Sequence, residues 1–427
     1  MPLSTLKSFL QQHLQPHTQR LVVAYSGGVD SHVLLDILVT LNQFHQRPIK
    51  IIHVHHGLSQ YANDWATHVA NIAQQYGVEY CIEYVQVAQT ASLEAAARTA
   101  RYQAINKHLQ AKDVLLLAHH QQDQAETLLL RLMRGTGVKG LMGIAKLTDV
   151  PFCDTKIACW RPLLSISRQK IMSYATQKNL VWIEDDSNSN LIFNRNYVRH
   201  QVLPVLTKRW PQAIQQLAHT SQRMQDAHEL LQDLAQADYQ QAQDAHYSLN
   251  IGVLANLTAA RRHNLFRYWL EQLALPIPDY ADICRIWTEV CVAKPDAQPL
   301  LYWQGVEVRR YRQQVFAMKP LALFDKHAAV LWHNKTQAIV LPTGEQITPQ
   351  QAQQGLAPHH WHMGQVSISY RQGGEKIRPI GRQQHHDVKT LLQAQGIPTW
   401  QRERIPLLYI NQQLAAVLGY WVAHEFA

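Results

Sequence analysis

The sequence predicts an α/β chain: a doubly wound, mostly parallel sheet at the N-terminus, then a mainly helical middle domain and a small mixed α+β C-terminal domain. Three observations carry this. Apolar runs of strand length alternate with apolar-periodic helices over residues 21–185. The stretch from Pro211 to Gln243 is rich in Gln, Ala and Leu with a helical period. Residues 321–360 carry Pro342, Gly344, Pro349 and Gly355, a boundary region, before the mixed elements of Val366 to Ala427. The expected domains are 1–215, 216–345 and 346–427.

Residues 1–20 read as a short helix leading into an apolar strand from Leu21. That strand meets the turn Ser26-Gly27-Gly28-Val29-Asp30-Ser31 and leaves as an apolar-periodic helix. Adjacent glycines allow positive φ and close approach of a ligand to the backbone. The amides of the following helix start can bind an anion, and Ser26 and Ser31 add hydroxyl donors. The stretch is a phosphate cradle without the Lys-Ser/Thr ending of a Walker A loop. Asp30 would repel a phosphate unless a cation lies between them, which implies Mg²⁺. The plainer alternative is a strand–turn–helix with Asp30 favoured by the helix dipole.

Ile49 to Val54 forms a second strand after Arg47-Pro48. His53, His55 and His56 lie at its carboxyl end, where ligands gather in open α/β sheets. Asn63 to Tyr76 is helical, stopped by Gly77. Cys81 to Val87 is a third strand. Ser92-Leu93-Glu94 opens a helix that places Glu94, Arg98 and Arg101 on one face. That face is either a solvated salt-bridged surface or a cationic row aimed at phosphates. Val114 to Ala118 is fully apolar and therefore central in the sheet. It runs into His119-His120-Gln121-Gln122-Asp123, with Glu126 one turn on. His119, Asp123 and Glu126 converge there as candidates for acid–base or Mg²⁺ work; helix capping by the two carboxylates is the alternative. Ser187 to Arg199 is polar, with Arg195 and Arg199 one helical turn apart.

The 427 residues are 46% hydrophobic, enough for real cores. No apolar run reaches the roughly 18 residues a membrane span needs, and the polar start Met1 to Arg20 lacks a signal-peptide core, so a cytoplasmic location and no membrane partner are expected. Lys plus Arg number 40 against 31 acidic residues, a net charge of +9 that suits a polyanion such as nucleic acid. The five cysteines form no C-x-x-C pair, so neither a disulfide framework nor a zinc or iron–sulfur site is indicated. Arg261-Arg262-His263, Arg267, Tyr268 and Trp269 combine cations with rings, which suits RNA; an amphipathic helix burying Leu265, Phe266 and Trp269 is the rival reading. Arg309-Arg310-Tyr311-Arg312 is a second such cluster. Arg371, Lys376, Arg378, Arg382, Lys389, Arg402 and Arg404 make a nucleic-acid-contacting surface candidate in the last domain, with ordinary surface charge as the rival reading.

Ser26-Gly27-Gly28-Val29-Asp30-Ser31 resembles the PP-loop of the N-type ATP pyrophosphatases, which split ATP into AMP and pyrophosphate. Further phrases follow in order: His53-Val54-His55-His56-Gly57-Leu58; Glu94 to Arg98 with Arg101-Tyr102; Leu117-Ala118-His119-His120 through Asp123 to Glu126-Thr127; Arg134-Gly135-Thr136-Gly137; Arg161-Pro162-Leu163-Leu164. Then come Glu184-Asp185-Asp186-Ser187-Asn188, Arg195-Asn196-Tyr197-Val198-Arg199 and Leu203-Pro204. Arg371 to Glu375 and Gly396 to Arg402 complete the set. Together they resemble the tRNA(Ile)-lysidine synthetase family over most of the chain. The resemblance implies ligation of the side-chain amine of free L-lysine to C2 of the wobble cytidine in the CAU anticodon of tRNA(Ile). ATP first adenylates the base and releases pyrophosphate; lysine then displaces AMP. The product, lysidine, moves decoding from AUG to AUA and charging from methionine to isoleucine.

The candidate catalytic residues are Asp30, His119, Asp123, Glu126 and Arg195. The candidates for ATP binding are Ser26, Gly27, Gly28, Val29, Asp30, Ser31, Arg98 and Arg101, and for Mg²⁺ Asp30 and Asp123. His119 is the candidate base for the lysine amine, with Glu126 orienting it or holding the ammonium. Two positions depart from the family pattern: Gln122 stands where the first of two aspartates is usual, and His55 where Asn is usual. A tRNA thiolase of the same superfamily would need reactive cysteines or an iron–sulfur cluster. A tRNA-binding module with a decayed nucleotide site would be marked by Gln122. A homodimer is left open by the sequence.

Overall fold

The computed structural model describes residues 2–55, 62–86, 93–184, 189–244, 247–294, 297–349 and 355–427. It divides into two compact units, Met1–Leu231 and Gln232–Ala427. No helix among the described residues is long and apolar enough to cross a membrane.

The first unit runs α1 (Pro2–His13), β1 (Leu21–Ala24), α2 (Val29–His45), β2 (Ile49–His55), α3 (Ala62–Tyr76), β3 (Glu79–Tyr84), α4 (Leu93–Asn106), β4 (Val114–Leu116), α5 (Gln121–Leu132), α6 (Val138–Leu141), β5 (Leu147–Asp149), β6 (Ala158–Trp160) and α7 (Arg168–Gln177). The six strands lie in the order β3-β2-β1-β4-β6-β5. All neighbours are parallel except β5, which is antiparallel to β6. Alternate side chains feed two cores. Val23 and Leu116 join the core of α1, α2, α3 and α7, while Val22 and Leu115 join Tyr102 and Ile105 of α4 on the other face. The sheet is thus doubly wound, and β4 is interior, as its unbroken apolar run implies.

β3 begins at Glu79, two residues before the expected Cys81, and ends at Tyr84. It is an edge strand whose residues are exposed or half-buried, so its apolar signal is weak. Gly77 ends α3 with φ +64°. Beyond α7, α8 (Asn194–Tyr197) widens to π geometry over Val198–Val202 and continues as α9 (Leu203–Arg209). Val198 and Leu203 pack on Ala125 of α5, and this apolar contact sets the register between α5 and the segment carrying Arg195 and Arg199. α10 (Ala213–Ala242) then leads the chain into the second unit.

Among its described residues the second unit holds two larger antiparallel sheets and two two-stranded ones. The first orders Leu249–Asn250, Gln314–Met318, Val306–Tyr311 and Leu300–Trp303 beside the helix Ala259–Gln272. The second orders Val330–Leu331, Val366–Tyr370, Pro406–Ile410, Gln413–Val417 and Trp421–Val422 around a fully buried Trp361. The amphipathic-helix reading accounts for the stretch at 261–269. Leu265, Phe266 and Trp269 are fully buried, Arg261 pairs with Asp238, and Arg262 lies 4.1 Å over the Trp287 ring. The cluster at 309–312 is likewise engaged within the fold: Arg309 pairs with Glu307, Arg310 donates to Cys291 O at 2.8 Å, and Arg312 donates to Gln393 O.

Candidate active site

The strand order fixes where a ligand can sit. From β1 the chain builds outward through β2 to β3, then returns to place β4 on the other side of β1. The loops after β1 and β4 therefore part at a topological switch point, the crevice that open α/β sheets use for ligands. The first loop delivers Asp30 and the second His119, His120 and, on α5, Asp123 and Glu126. His120 Nε2 lies 3.7 Å from Asp30 Oδ2, and its Nδ1 lies 3.6 Å from Asp123 Oδ2.

In the first loop only Gly27 takes positive φ, +88°. Gly28 is extended at φ −74° and caps α2 without a side-chain hydrogen bond. The left-handed turn expected of the glycine pair is therefore made by Gly27 alone, and Gly28 serves by leaving the α2 start uncapped, so the amides of its first turn face a ligand. A Cβ on Gly27 would lie 2.8 Å from Ile183 Cδ1, and Ile183 N–H donates to Gly27 O at 3.0 Å. The two hydroxyls are linked: Ser26 Oγ lies 3.2 Å from Ser31 Oγ, which donates to Gly28 O at 2.9 Å.

The second loop builds a carboxylate–guanidinium network. His120 is the N-cap of α5; its ring accepts from Gln122 N–H, and Asp123 Oδ2 accepts from His120 N–H at 2.8 Å. Asp123 Oδ1 accepts from Arg195 Nη2 at 2.7 Å. Glu126 is fully buried and accepts from Arg195 Nε at 2.8 Å and from Arg199 Nε at 2.7 Å and Nη2 at 3.0 Å. Gln122 Nε2 donates to the same carboxylate at 3.2 Å. Asp123 is therefore both helix cap and ion-pair partner. Arg195 and Arg199 are neither a solvated pair nor unpaired phosphate ligands, because both hold Glu126.

This chemistry sits on a recognisable frame. A family model described as a PP-loop domain matches residues 3–206. Models described as a TilS substrate binding domain and a TilS substrate C-terminal domain match residues 249–316 and 366–427. A tRNA(Ile)-lysidine synthase of Coxiella burnetii (strain RSA 493 / Nine Mile phase I) is 36% identical over 408 residues, 95% of this chain and 89% of that one. One from Yersinia pseudotuberculosis serotype O:1b (strain IP 31758) is 37% identical over 419 residues, 95% and 92% of the two chains. One from Serratia proteamaculans (strain 568) is 38% identical over 424 residues, 98% and 94% of the two. The chain belongs to the tRNA(Ile)-lysidine synthase family. Its PP-loop and its β4–α5 loop both lie within the matched PP-loop domain.

Of the two carboxylates, Asp30 has the donor oxygen that would fit Mg²⁺. Its Oδ1 is buried and has no hydrogen-bond partner among the described residues, while Oδ2 is met by Arg168 at 3.4 Å. A hard oxygen donor left unpartnered in the first turn after the PP-loop suits that ion. Asp123 has both oxygens engaged, so its share in a metal site requires a guanidinium to move. Burial lifts Asp30 above its ordinary pKa against the pull of His120 and Arg168. Asp123 shows the reverse. Burial alone would raise it, but His120, Arg195 and His119 hold it well below the usual carboxylate range.

His119 is pushed down to about 3 by burial, with Asp123 pulling the other way. Its Nδ1 is shut from solvent and has no partner among the described residues. Arg98 lies 5.1 Å over the Tyr102 ring. Arg101 is exposed, and desolvation with the nearby charges of Arg98 and Arg195 lowers its pKa. His53 Nδ1 lies 2.9 Å from Tyr25 O, a structural contact, while His55 stacks on Tyr84 at 4.7 Å. Sequence reasoning missed the central place of His120 and the partnership of Arg168 with Asp30. Arg199, four residues after Arg195, carried a signal in its spacing; Arg168 carried none. His56, Gly57, Leu58, Ser92, the Glu94 side chain and Asp185 to Asn188 lie outside the described residues.

Proposed function

We propose that this chain ligates the side-chain amine of L-lysine to C2 of the wobble cytidine of tRNA(Ile) bearing CAU, in the cytoplasm, at the expense of ATP. The observation that carries the reading is the placement of an uncapped PP-loop and Asp30 against the Asp123–Arg195–Glu126–Arg199 network, in a chain of this family. The cytidine C2 oxygen attacks the α-phosphate and pyrophosphate leaves; the lysine amine then attacks C2 and AMP leaves with its C–O bond broken. The PP-loop amides with Ser26 and Ser31 hold the pyrophosphate, and Arg98 and Arg101 neutralise phosphate charge. Mg²⁺, held at Asp30 with Asp123, would supply further neutralisation of the triphosphate.

Lysine must lose a proton, since its amine has a pKa of about 10.4 in water. His119 enters the step neutral, and its buried Nδ1, which has no partner among the described residues, accepts the proton once the lysine amine seats against it. Asp123 is the neighbour that favours its protonated form. Glu126 acts as a positioning residue through Arg195 and Arg199. The three-part division at 215 and 345 is retained as part of this proposal, with the two later parts contacting tRNA.

The test is incubation with ATP, Mg²⁺, radiolabelled lysine and unmodified tRNA(Ile) bearing CAU, beside elongator tRNA(Met). Label on the first tRNA alone supports the reading. Pyrophosphate release without lysine transfer would redirect it to another nucleophile.

A further inference from the structure

The sheet edge of the first unit holds a cluster that the reaction does not use. Cys81 and Glu83 are two apart on β3 and so share one face. His108 follows the end of α4. Cys81 Sγ lies 3.4 Å from His108 Nε2, and His108 Nε2 lies 2.6 Å from Glu83 Oε1. One donor atom from each residue lies within 4.8 Å of the others. The Glu83 and His108 side chains are 20% and 24% exposed, sheltered yet reachable. The turn carrying His108 is fixed in place, because Arg20 Nη2 donates to His108 O at 3.2 Å and to Asp113 at 2.7 Å.

We propose that Cys81, Glu83 and His108 form a three-ligand site for a borderline divalent transition cation, Zn²⁺ above all, with an open position for water. The donor set selects the metal. A thiolate and an imidazole suit Zn²⁺ and reject Mg²⁺ and Ca²⁺, which take oxygen ligands. Bond lengths of about 2.0–2.3 Å place neighbouring tetrahedral ligands about 3.3–3.6 Å apart. The Sγ–Nε2 separation already matches, and the Glu83–His108 contact opens as the proton between them departs. Metal binding releases the Cys81 thiol proton to solvent, while the imidazole proton moves from Nε2 to Nδ1 by tautomer exchange and is kept. Burial, then Glu83, raises the thiol pKa, so the site loads more readily as pH rises. Lys107 Nζ holds the other oxygen, Glu83 Oε2, at 3.3 Å and leaves Oε1 for the ion; its charge opposes the metal but is 64% exposed and screened. Such an ion ties edge strand β3 to the end of α4, the helix that carries Arg98 and Arg101.

The probe is Co²⁺ added to the full chain after chelator treatment, without Mg²⁺. The expected result is one equivalent bound with a thiolate-to-cobalt charge-transfer band, displaced by Zn²⁺. That band reports sulfur, so the 24 histidines cannot mimic it. Even an outer-shell partner of a metal site is worth about tenfold in affinity, so E83Q and H108Q must each weaken binding by at least that factor, and C81S must abolish the band. Thermal melting of each variant without metal checks that it folds. No band in the wild-type chain, a band that persists in C81S, or equal affinity in folded E83Q and H108Q overturns the site.

Discussion

Arg195 donates from Nε to the fully buried Glu126 carboxylate at 2.8 Å, across 69 residues of sequence. Glu126 thereby fixes the cation that also reaches Asp123, and Arg199 closes the same carboxylate from the next turn. Glu126→Gln would leave two guanidinium groups facing a neutral amide. Removing one partner of a buried pair costs about 3–5 kcal/mol, and urea unfolding of the variant should show a loss of that order. An additional Arg195→Met substitution should recover part of it, since the pair rather than either charge is what the core tolerates. Unchanged stability in Glu126→Gln would contradict the network.

Gly27→Ala should destabilise the first unit by about 1–2 kcal/mol, the cost of a left-handed residue carrying a Cβ. It should also raise the KM for ATP. The contact with Ile183 Cδ1 at 2.8 Å involves the end of a flexible side chain and can relax. Ile183→Val in the Gly27→Ala background should therefore restore little. Full rescue would show that crowding, not backbone conformation, demands the glycine.

Arg101 is held among like charges, with Arg98 and Arg195 lowering its pKa after desolvation. Arg101→Ala should leave the ligand-free protein as stable as before or more so, while weakening ATP binding. Thermal melting should hold or rise while nucleotide affinity falls. A loss of both would make Arg101 a structural residue.

The first strand, the phosphate turn and the β4–α5 loop were legible because each is local: a short apolar run, two glycines, a helix start. The doubly wound fold followed from their alternation. What joins them was not legible. His120 bridging Asp30 and Asp123, Arg168 meeting Asp30 and Ile183 covering Gly27 all depend on strand order, which no local pattern encodes. The basic-aromatic run at 261–269 has partners of the same kind: Arg261 pairs with Asp238 and Arg262 stacks on Trp287, contacts that sequence spacing does not reveal. The Cys81–Glu83–His108 cluster lay hidden because its third member comes 25 residues after its second.

His119 gives a pH signature. An unfolded histidine takes up a proton below about pH 6.5, whereas the folded ring waits until about 3. Between those values the unfolded state binds more protons, so stability is full above the upper limit and drains as pH falls. His32 and His53, also lowered by burial, add to the same trend. His119→Asn should flatten the slope of unfolding free energy against pH by up to one proton in this window. A slope identical to that of the wild-type chain would place His119 in a more solvated state than the structure shows.

In the proposed reaction the PP-loop and the Asp30 side of the crevice adenylate a base before lysine arrives. The most direct measurement supplies ATP labelled at its α-phosphate, with Mg²⁺ and tRNA(Ile) bearing CAU, and withholds lysine. Labelled AMP should become attached to the tRNA, with pyrophosphate released, and should leave when lysine is added. Asp30→Asn should lower attachment by about 10²–10³-fold, the usual worth of a group that stabilises developing charge, while the fold melts as before. Pyrophosphate release with no label on the tRNA, or attachment undiminished in Asp30→Asn, would contradict the account.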